Sequence, residues 1–265
     1  MSVSMGNAIR WLKLQIAKID PDMQDADAKA MLCTGIDDFL RERVIAAGQS
    51  ISELCYYQIL KPAGLAHEHQ TILTFGKSNV VAQALAQAKN LGVDFSVIVV
   101  DSRPLFEGKA MTQSLMDLGI DVKYTLMNGL GHCMKSATKV FLGAHAMMSN
   151  GVLYSRVGSA QVAMEAKDCD VPVIVLCEVV KCTDKVALDS IVFNEVADPD
   201  ELEFAGWRDV KGLQVLNIMH DATPAEYISS VVTETGIVPP SSVAVLQRWA
   251  HDRDEKKDEK EDADE

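Results

Sequence analysis

FSVIVV (residues 95–100) is a β-rich run without polar alternation. Such a run is typical of a strand that is buried on both faces of a parallel sheet, because neither face of the strand meets water. A second run of this kind, VPVIVLC (171–177), comes directly after a predicted helix over 159–168. Strand and helix patterns alternate at close intervals along this part of the chain. The sequence therefore predicts a doubly wound, mainly parallel α/β sheet.

The remaining elements are predicted from short apolar runs and from residues at helical spacing. Further strands are expected at TILTF (71–75), VKYTLM (122–127), KVFLG (139–143) and LQVLNIMH (213–220). Helices are expected from GKSN (76–79) to Gly92, over 109–118, from Thr223-Pro224 onward, and over 237–249. The long stretch from Glu178 to Gly212 has only a weak pattern, and loops of that length inside compact domains are often functional.

The first 65 residues have no strand signal, and their apolar residues recur at spacings of three and four. This spacing predicts three helices, which end at Asp20-Pro21, at Gly48 and before Pro62. HDRDEKKDEKEDADE (251–265) has no core-forming residue. We therefore expect a helical domain over residues 1–66, an α/β domain over 67–250 and an acidic disordered tail over 251–265.

Composition excludes several classes of protein. The chain has 265 residues, of which 48% are hydrophobic, and it carries a net charge of −13. No apolar run approaches the ~20 residues that a bilayer needs, and the N-terminus lacks a secretory pattern, so we expect a cytosolic protein without a membrane partner. The acidic balance argues against direct nucleic-acid binding. Six scattered cysteines without CxxC pairs predict reduced thiols and no zinc site. We expect neither a metal nor a cofactor.

Charged side chains follow several of the predicted strands. In open α/β sheets ligands bind outside the carboxyl ends of the strands, and helix starts there favour anions. The motifs FGKSN (75–79), VVDSRP (99–104), GAHAMMSNG (143–151), SRVGSAQ (155–161) and CEVVKC (177–182) occupy such places. Together they predict a cleft that could hold a nucleotide or a sugar phosphate. Its candidate residues are Lys77, Ser78, Arg103, His145, Arg156 and Lys181.

Each of these residues also has a plain structural interpretation. FGKSN can be a tight turn with a serine cap, and the cations can simply pair with Asp101 and Glu178. A single histidine without a Ser, Cys or Asp partner is more often structural. The chain has neither a Walker A loop nor a GxGxxG, nucleophile-elbow or HExxH motif, so the residues alone name no reaction.

Longer stretches of the chain resemble a known family. VVDSRPLFEGKAMTQSL (99–115), the segment from Lys139 to Lys167, and VPVIVLCE (171–178) are similar to the family shared by the regulatory alpha, beta and delta subunits of translation initiation factor 2B and by the methylthioribose-1-phosphate and ribose-1,5-bisphosphate isomerases. Within that family, residues 177–202 and 213–246 resemble the delta-type branch. The resemblance extends over roughly residues 7–248.

The resemblance implies a helical domain joined to a Rossmann-like domain. It also implies a non-catalytic regulatory subunit of the guanine-nucleotide exchange factor for initiation factor 2. The implied partners are beta-type and alpha-type paralogues, the catalytic gamma and epsilon subunits, and the alpha subunit of initiation factor 2, whose serine phosphorylation the core senses in the integrated stress response.

The resemblance also bears on catalysis. The isomerases carry a cysteine after the first strand, where this chain has Gly76 or Phe75, and an aspartate where it has His145. Their NGDVANKIGT segment corresponds to NGVLYSRVGS (150–159), which loses the central residues. The chain is therefore expected not to be an enzyme and to have no catalytic residue. Two alternatives remain open: an isomerase that works through unfamiliar residues, and a sensor of nucleotides or sugar phosphates.

Overall fold

The computed structural model describes residues 2–60, 69–191 and 194–246. A seven-stranded sheet lies at its centre, in the order β12-β11-β7-β4-β1-β2-β3. Its strands are β1 (Gln70–Phe75), β2 (Phe95–Asp101), β3 (Asp121–Leu126), β4 (Lys139–Gly143), β7 (Val173–Leu176), β11 (Ser230–Thr233) and β12 (Gly236–Val238). All neighbouring pairs are parallel except β11 and β12. The prediction of a doubly wound, mainly parallel sheet is confirmed.

Helices cover both faces of this sheet. The helices around it are α3 (Ala47–Cys55), α4 (Asn79–Asn90), α5 (Glu107–Asp117), α6 (Leu130–Met134) and α7 (Ser159–Asp168). Helices α3, α4 and α5 pack on one face, while α6 and α7 pack on the other. Alternate strand residues such as Leu73 and Ile72 enter the two separate cores, because successive side chains of a strand point to opposite faces.

The N-terminal region is helical, as its apolar spacing predicts. It consists of α1 (Val3–Ala17), α2 (Asp25–Leu40) and α3, with π-helical segments at Arg41–Ala46 and Tyr56–Leu60. We call α1 and α2 together the helical hairpin. Trp11 and Phe39 join its two helices, with ring centroids 4.7 Å apart. Neither α1 nor α2 contains a buried residue, whereas α3 places Ile51 and Cys55 in the sheet core.

The prediction that Gly48 ends the second helix is wrong. Helical backbone runs without a break from α2 through α3. Gly48 is buried where α3 crosses α4, and a Cβ at this position would lie 2.7 Å from the Gln83 side-chain oxygen. Gly48 thus lies inside a continuous helix and against the Gln83 side chain, rather than at a helix end.

The C-terminal third differs most from the prediction. LQVLNIMH (213–220) is not a strand of the main sheet: β9 (Asn217–Ile218) pairs with β8 (Val196–Ala197). A three-stranded antiparallel sheet follows the order β10-β6-β5, from β5 (Ala146–Met147), β6 (Leu153–Arg156) and β10 (His220–Thr223).

The two predicted C-terminal helices are also corrected. After Thr223-Pro224 the chain forms only a 3-10 turn at Ala225–Tyr227 and then enters β11. The expected helix over 237–249 begins as β12, followed by a 3-10 turn at Pro240–Ser242 and helical residues 243–246. Residues 247–249 and the expected tail over 251–265 lie outside the described residues. The division into domains stays a prediction. Across the described ranges, no helix has the length and apolar character needed to span a bilayer.

Candidate functional site

The sheet changes its winding direction between β1 and β4, and the ends of these strands position two candidate residues. After β1 the chain turns at Gly76, whose φ of +60° lies in the left-handed region that glycine adopts without strain. Ser78 follows, and its side chain packs directly on Gly143 at the end of β4. Crevices at such switch points are the usual ligand sites of open α/β sheets. Here the Ser78 side chain occupies part of that crevice.

Arg156 lies at the end of β6 and forms the best-defined ion pair of the site. Its Nε and one terminal nitrogen each donate to a different carboxylate oxygen of Glu107, both at 2.8 Å. Glu107 begins α5, so its negative charge also lies at the positive end of that helix. Both side chains are about two-thirds buried. This bidentate geometry is the strong form of a guanidinium–carboxylate contact.

The other cations of the predicted cleft are mostly paired as well. Arg103 donates to Glu203 at 2.6 Å on the surface, rather than to Asp101. Lys181 pairs with Glu178 at 2.7 Å. Lys77 is exposed and, in the part of the chain that the structure describes, forms no ion pair. The structure thus confirms the pairing of Lys181 with Glu178, which the sequence allowed. Arg103 and Arg156 pair with Glu203 and Glu107 instead.

Asp101 is 1% exposed and therefore lies inside the wall of the cleft. It accepts hydrogen bonds from the Tyr124 hydroxyl at 2.8 Å and from the Ser102 backbone N–H at 2.9 Å. A Cβ on Gly108 would lie 2.6 Å from the Asp101 carboxyl carbon. This glycine lets α5 approach the end of β2 closely.

His145 belongs to an aromatic cluster behind these ion pairs. Its ring centroid lies 4.5 Å from that of His220 and 5.7 Å from that of Tyr154. Burial lowers the pKa of the His145 imidazole, and the positive charges of Arg156 and Lys181 lower it further, against an opposing contribution from Glu195. Burial, His145 and Arg156 lower the pKa of His220 to about 4. Both rings are therefore neutral at pH 7.

The Asp221 carboxylate lies at the start of α7, where the motif SRVGSAQ (155–161) predicts an anion site. One of its carboxylate oxygens accepts the backbone N–H groups of Gly158 at 2.7 Å and Ala160 at 3.0 Å. Burial nevertheless raises the pKa of Asp221 to about 6, and the two backbone donors only moderate that rise. Two of the backbone donors at this helix start are thus bonded from within the chain.

Together these contacts leave little open space. The cleft lined by Gly76, Ser102, Glu107, Arg156 and Met219 holds about one water molecule. A sugar phosphate would need the ion pairs to open. Across the described ranges, no group of three or more His, Cys, Asp or Glu side chains is placed to hold a metal ion.

The sequence interpretation missed Glu107, His220 and Asp221. Glu107 and Arg156 are 49 residues apart, and nothing in either motif signals the pairing. His220 and Asp221 follow an apolar run that resembles a buried strand. The signal that could have found them is the pair of titratable residues, His220 and Asp221, that ends this run just before Thr223-Pro224.

Comparisons with known proteins address the chain as a whole. The model of the initiation factor 2 subunit family matches residues 1–240. The chain is 40% identical over 259 residues to the delta subunit of translation initiation factor eIF2B from Schizosaccharomyces pombe, covering 93% of this chain and 54% of that protein. It thus spans about half the length of this relative. Ribose 1,5-bisphosphate isomerase from Pyrococcus furiosus is 34% identical over 187 residues, or 68% of this chain and 57% of the isomerase.

A comparison with a solved structure agrees with these sequence comparisons. The tetrameric beta2-delta2 complex of eIF2B from Chaetomium thermophilum contains a chain that superposes with a TM-score of 0.77 at 32% identity. The match covers 88% of this chain and 70% of that one. The fold and the sequence therefore point to the same group of proteins.

Proposed function

Because this chain belongs to the initiation factor 2 subunit family, we propose that it is a non-catalytic, delta-type regulatory subunit of the guanine-nucleotide exchange factor for translation initiation factor 2. In this role it forms part of a core that binds the alpha subunit of initiation factor 2 and senses its phosphorylation. The gamma and epsilon subunits of the factor supply the exchange chemistry. The observation that carries this proposal is the 40% identity to a delta subunit over 93% of the chain.

The geometry at the strand ends supports a non-catalytic role. Gly76 has a left-handed backbone, and a cysteine there would be strained, so the position suits glycine rather than the thiol of an isomerase. His145 is a neutral ring inside an aromatic cluster, where a proton-transferring carboxylate would be needed. Arg156, which lines the cleft, is already engaged by Glu107.

The surface supports a beta-type partner. The stretch from Glu178 to Gly212 carries Leu188 and Ile191, which are 91% and 82% exposed. Exposed aliphatic side chains of this kind mark a contact surface when they cluster. A beta-type subunit on this face, and alpha-type subunits added to the pair, would give a two-fold symmetric core. The similarity to a chain of a beta2-delta2 tetramer agrees with this arrangement.

The proposed role places the protein in the cytosol, where translation initiation takes place. The net charge of −13 is unfavourable for direct contact with nucleic-acid backbones.

Native mass spectrometry tests the proposed assembly. The chain is co-expressed with a beta-type subunit and purified through the partner's tag. We expect a 1:1 pair or its dimer, which stays intact at micromolar concentration. A chain that remains monomeric beside its partner would overturn the proposal. An isomerase would instead turn over methylthioribose-1-phosphate or ribose-1,5-bisphosphate, at an ordinary enzyme rate of ~1–10³ per second.

A second proposal is that the cleft senses a phosphorylated ligand. The start of α4 supports it, since Ser78 makes no capping hydrogen bond with its side chain and Lys77 is exposed beside it. Thermal unfolding with ribose 5-phosphate and AMP tests this site. Saturation at 100 times the dissociation constant stabilises a protein by about 2.7 kcal/mol. We expect these ligands to raise the melting temperature of the wild type, and we expect Lys77→Ala to abolish that rise. A melting temperature that no phosphorylated ligand changes would contradict it.

A further inference from the structure

One face of α1 is bound to the rest of the protein. The Asn7 side-chain amide donates two hydrogen bonds, to the Val180 carbonyl at 2.8 Å and to the Cys182 carbonyl at 2.9 Å. Trp11, which follows four residues later on the same side of the helix, packs on Phe39 of α2. These contacts fix which side of α1 points inward.

The opposite face of α1 carries exposed aliphatic side chains. Met5, Ile9 and Ile16 are each about half exposed. Ile9 lies two residues from both Asn7 and Trp11, and at 3.6 residues per turn this places it on the far side of the helix. Spacings of four and seven residues put the three side chains in one stripe, which we call the α1 stripe. Because α1 contains no buried residue, the described part of the chain leaves this stripe uncovered.

Basic side chains flank the α1 stripe. Arg10 and Lys13 are exposed, and Lys13 lies one helical turn after Ile9. Neither cation takes part in the ion pairs that the described residues form with one another. Residues 1–18 contain no acidic residue, although the whole chain has a net charge of −13. Helix α1 thus presents a basic and partly apolar face on an acidic protein.

The last described residues lie beside the start of this helix. A Cβ on Gly151 would lie 2.8 Å from the Pro240 carbonyl oxygen, so the 3-10 turn after β12 packs against the turn between β5 and β6. Val152, the next residue of that turn, and Val3 of α1 pack on the same small apolar cluster. The chain that continues beyond residue 246 therefore starts near the N-terminal end of α1.

The sequence beyond residue 246 matches the exposed face of α1 in charge and in order. Trp249 is the one aromatic residue of the segment 247–265, and it precedes nine acidic and four basic residues at 251–265. The net charge of that last stretch is −5. Along α1 the aliphatic stripe likewise begins before the two cations. An apolar anchor followed by carboxylates is therefore complementary to this face.

The segment is also long enough for this contact. From Val243 to Asp252 the chain can span at most about 30 Å. Val3 and Lys13 are about 15 Å apart along the axis of α1. The acidic residues that follow Trp249 can therefore reach both cations of α1.

We propose that residues 247–265 dock on the exposed face of α1, with Trp249 against the α1 stripe and the carboxylates beside Arg10 and Lys13. Exposed ion pairs are individually weak, but a short tether raises the effective concentration of the segment to the millimolar range. The docked segment covers α1, so an acidic partner of this helix would have to displace it. The contact lies within this chain and does not depend on the proposed assembly.

Carbodiimide cross-linking of the full chain tests the docking, because this reagent joins a lysine amine directly to a carboxylate that touches it. Lys123 is the reference site, since it is exposed on β3, at the opposite edge of the sheet from β12. Residues 247–265 can extend over ~60 Å, so they reach Lys123 as well when they are not docked. Peptide mass spectrometry should show about fivefold more cross-linking of residues 251–265 to Lys13 than to Lys123.

Salt and single substitutions separate docking from mere proximity. Raising the salt concentration from about 0.01 M to 1 M shortens the Debye length from about 30 Å to about 3 Å, and should lower the Lys13 yield about fivefold. Arg10→Glu should lower this yield to a similar extent, because it reverses the neighbouring charge. Trp249→Ala should lower it through loss of the apolar anchor. Lys123→Glu is the matched control, and it should leave the Lys13 yield unchanged.

The two charge-reversal variants alter exposed side chains, so both should unfold as the wild type does when followed by circular dichroism. Equal yields at Lys13 and Lys123 would overturn the proposal. A Lys13 yield that neither salt nor Arg10→Glu lowers would do the same. Mixing isotope-labelled and unlabelled protein identifies cross-links between two chains. If the Lys13 cross-links were only of that kind, a second copy would be the occupant of this face, and the proposal would fail.

Discussion

His220 and Asp221 are neighbours on β10, and burial shifts their pKa values in opposite directions. The pKa of His220 falls from 6.5 to about 4, and that of Asp221 rises from 3.8 to about 6. Between these limits the folded state binds fewer protons than the unfolded state at His220 and more at Asp221. The contribution of His220 to stability therefore increases as the pH rises from about 4 to 6.5, while the contribution of Asp221 decreases over nearly the same range.

Single substitutions should separate these two opposing dependences. Relative to the wild type, Asp221→Asn should gain stability as the pH rises from about 4 to 6, because the ionisation penalty of the buried carboxyl is gone. His220→Gln should lose stability relative to the wild type over the same range. Urea unfolding between pH 4 and 7 measures both differences. If the stability of all three proteins changed with pH in the same way, burial would not shift the pKa values of His220 and Asp221.

The residue types of the cleft could be found from the sequence, but their partners could not. Lys181 and Glu178 are three residues apart, and this pairing was among the alternatives that the sequence allowed. The partners of Arg103 and Arg156 lie 100 and 49 residues away. Pairings at such separations depend on how strands and helices assemble, which local spacing does not encode.

At the scale of elements, the Arg156–Glu107 pair links β6 of the small antiparallel sheet to the start of α5. Both of its hydrogen bonds are charge-assisted and partly shielded from water. Removal of one partner leaves the other charge poorly solvated, which destabilises a protein more than the loss of an exposed pair does.

Arg156→Met should therefore lower the free energy of unfolding by about 1–3 kcal/mol, as measured by urea denaturation. Arg41→Met is the matched control, because Arg41 pairs with Asp38 at 3.0 Å on the exposed surface of the helical hairpin. This control should change stability by less than about 1 kcal/mol. Equal effects of the two variants would show that the Arg156 pair is no stronger than a surface contact.

Elements with continuous apolar runs were predictable, whereas short ones after Gly212 were not. β2 and β7 lie within the continuous apolar runs FSVIVV (95–100) and VPVIVLC (171–177), which predict buried strands. β11 contains only two apolar residues and follows a Thr-Pro pair that resembles a helix start, so the sequence predicts a helix there instead. LQVLNIMH (213–220) has the apolar run of a buried strand, but Asn217 and His220 belong to small two- and three-stranded sheets, and a local pattern does not reveal which sheet a strand joins.

At the scale of the whole molecule, exposed aliphatic side chains are concentrated outside the central sheet. Leu188, Ile191 and Leu216 lie in the long stretch before β10. Leu40 lies at the end of α2, and Ile45 lies in the π-helical segment that follows it. The sheet itself is closed on both faces by helices. We therefore expect the proposed partner subunits to contact the segments that surround the sheet.

The double substitution Leu188→Asp and Ile191→Asp should weaken binding of the beta-type subunit about thirtyfold or more, since buried anchors of an interface each contribute strongly. The isolated chain should unfold as the wild type does, because both side chains are exposed. Met116→Asp on α5, at a position 55% exposed, provides a control that should bind normally. Undiminished binding by the double variant would place the interface elsewhere.

The attachment of α1 through Asn7 also sets an order for synthesis. Its two acceptors, on Val180 and Cys182, lie 173 and 175 residues further along the chain. At roughly 5–20 residues per second, the ribosome completes α1 about 10 to 35 seconds before it adds these acceptors. Because α1 and α2 contain no buried residue, the helical hairpin hides little apolar surface in the folded protein and needs no sheet during that interval. We therefore expect the two hydrogen bonds of Asn7 to be among the last contacts that the chain forms.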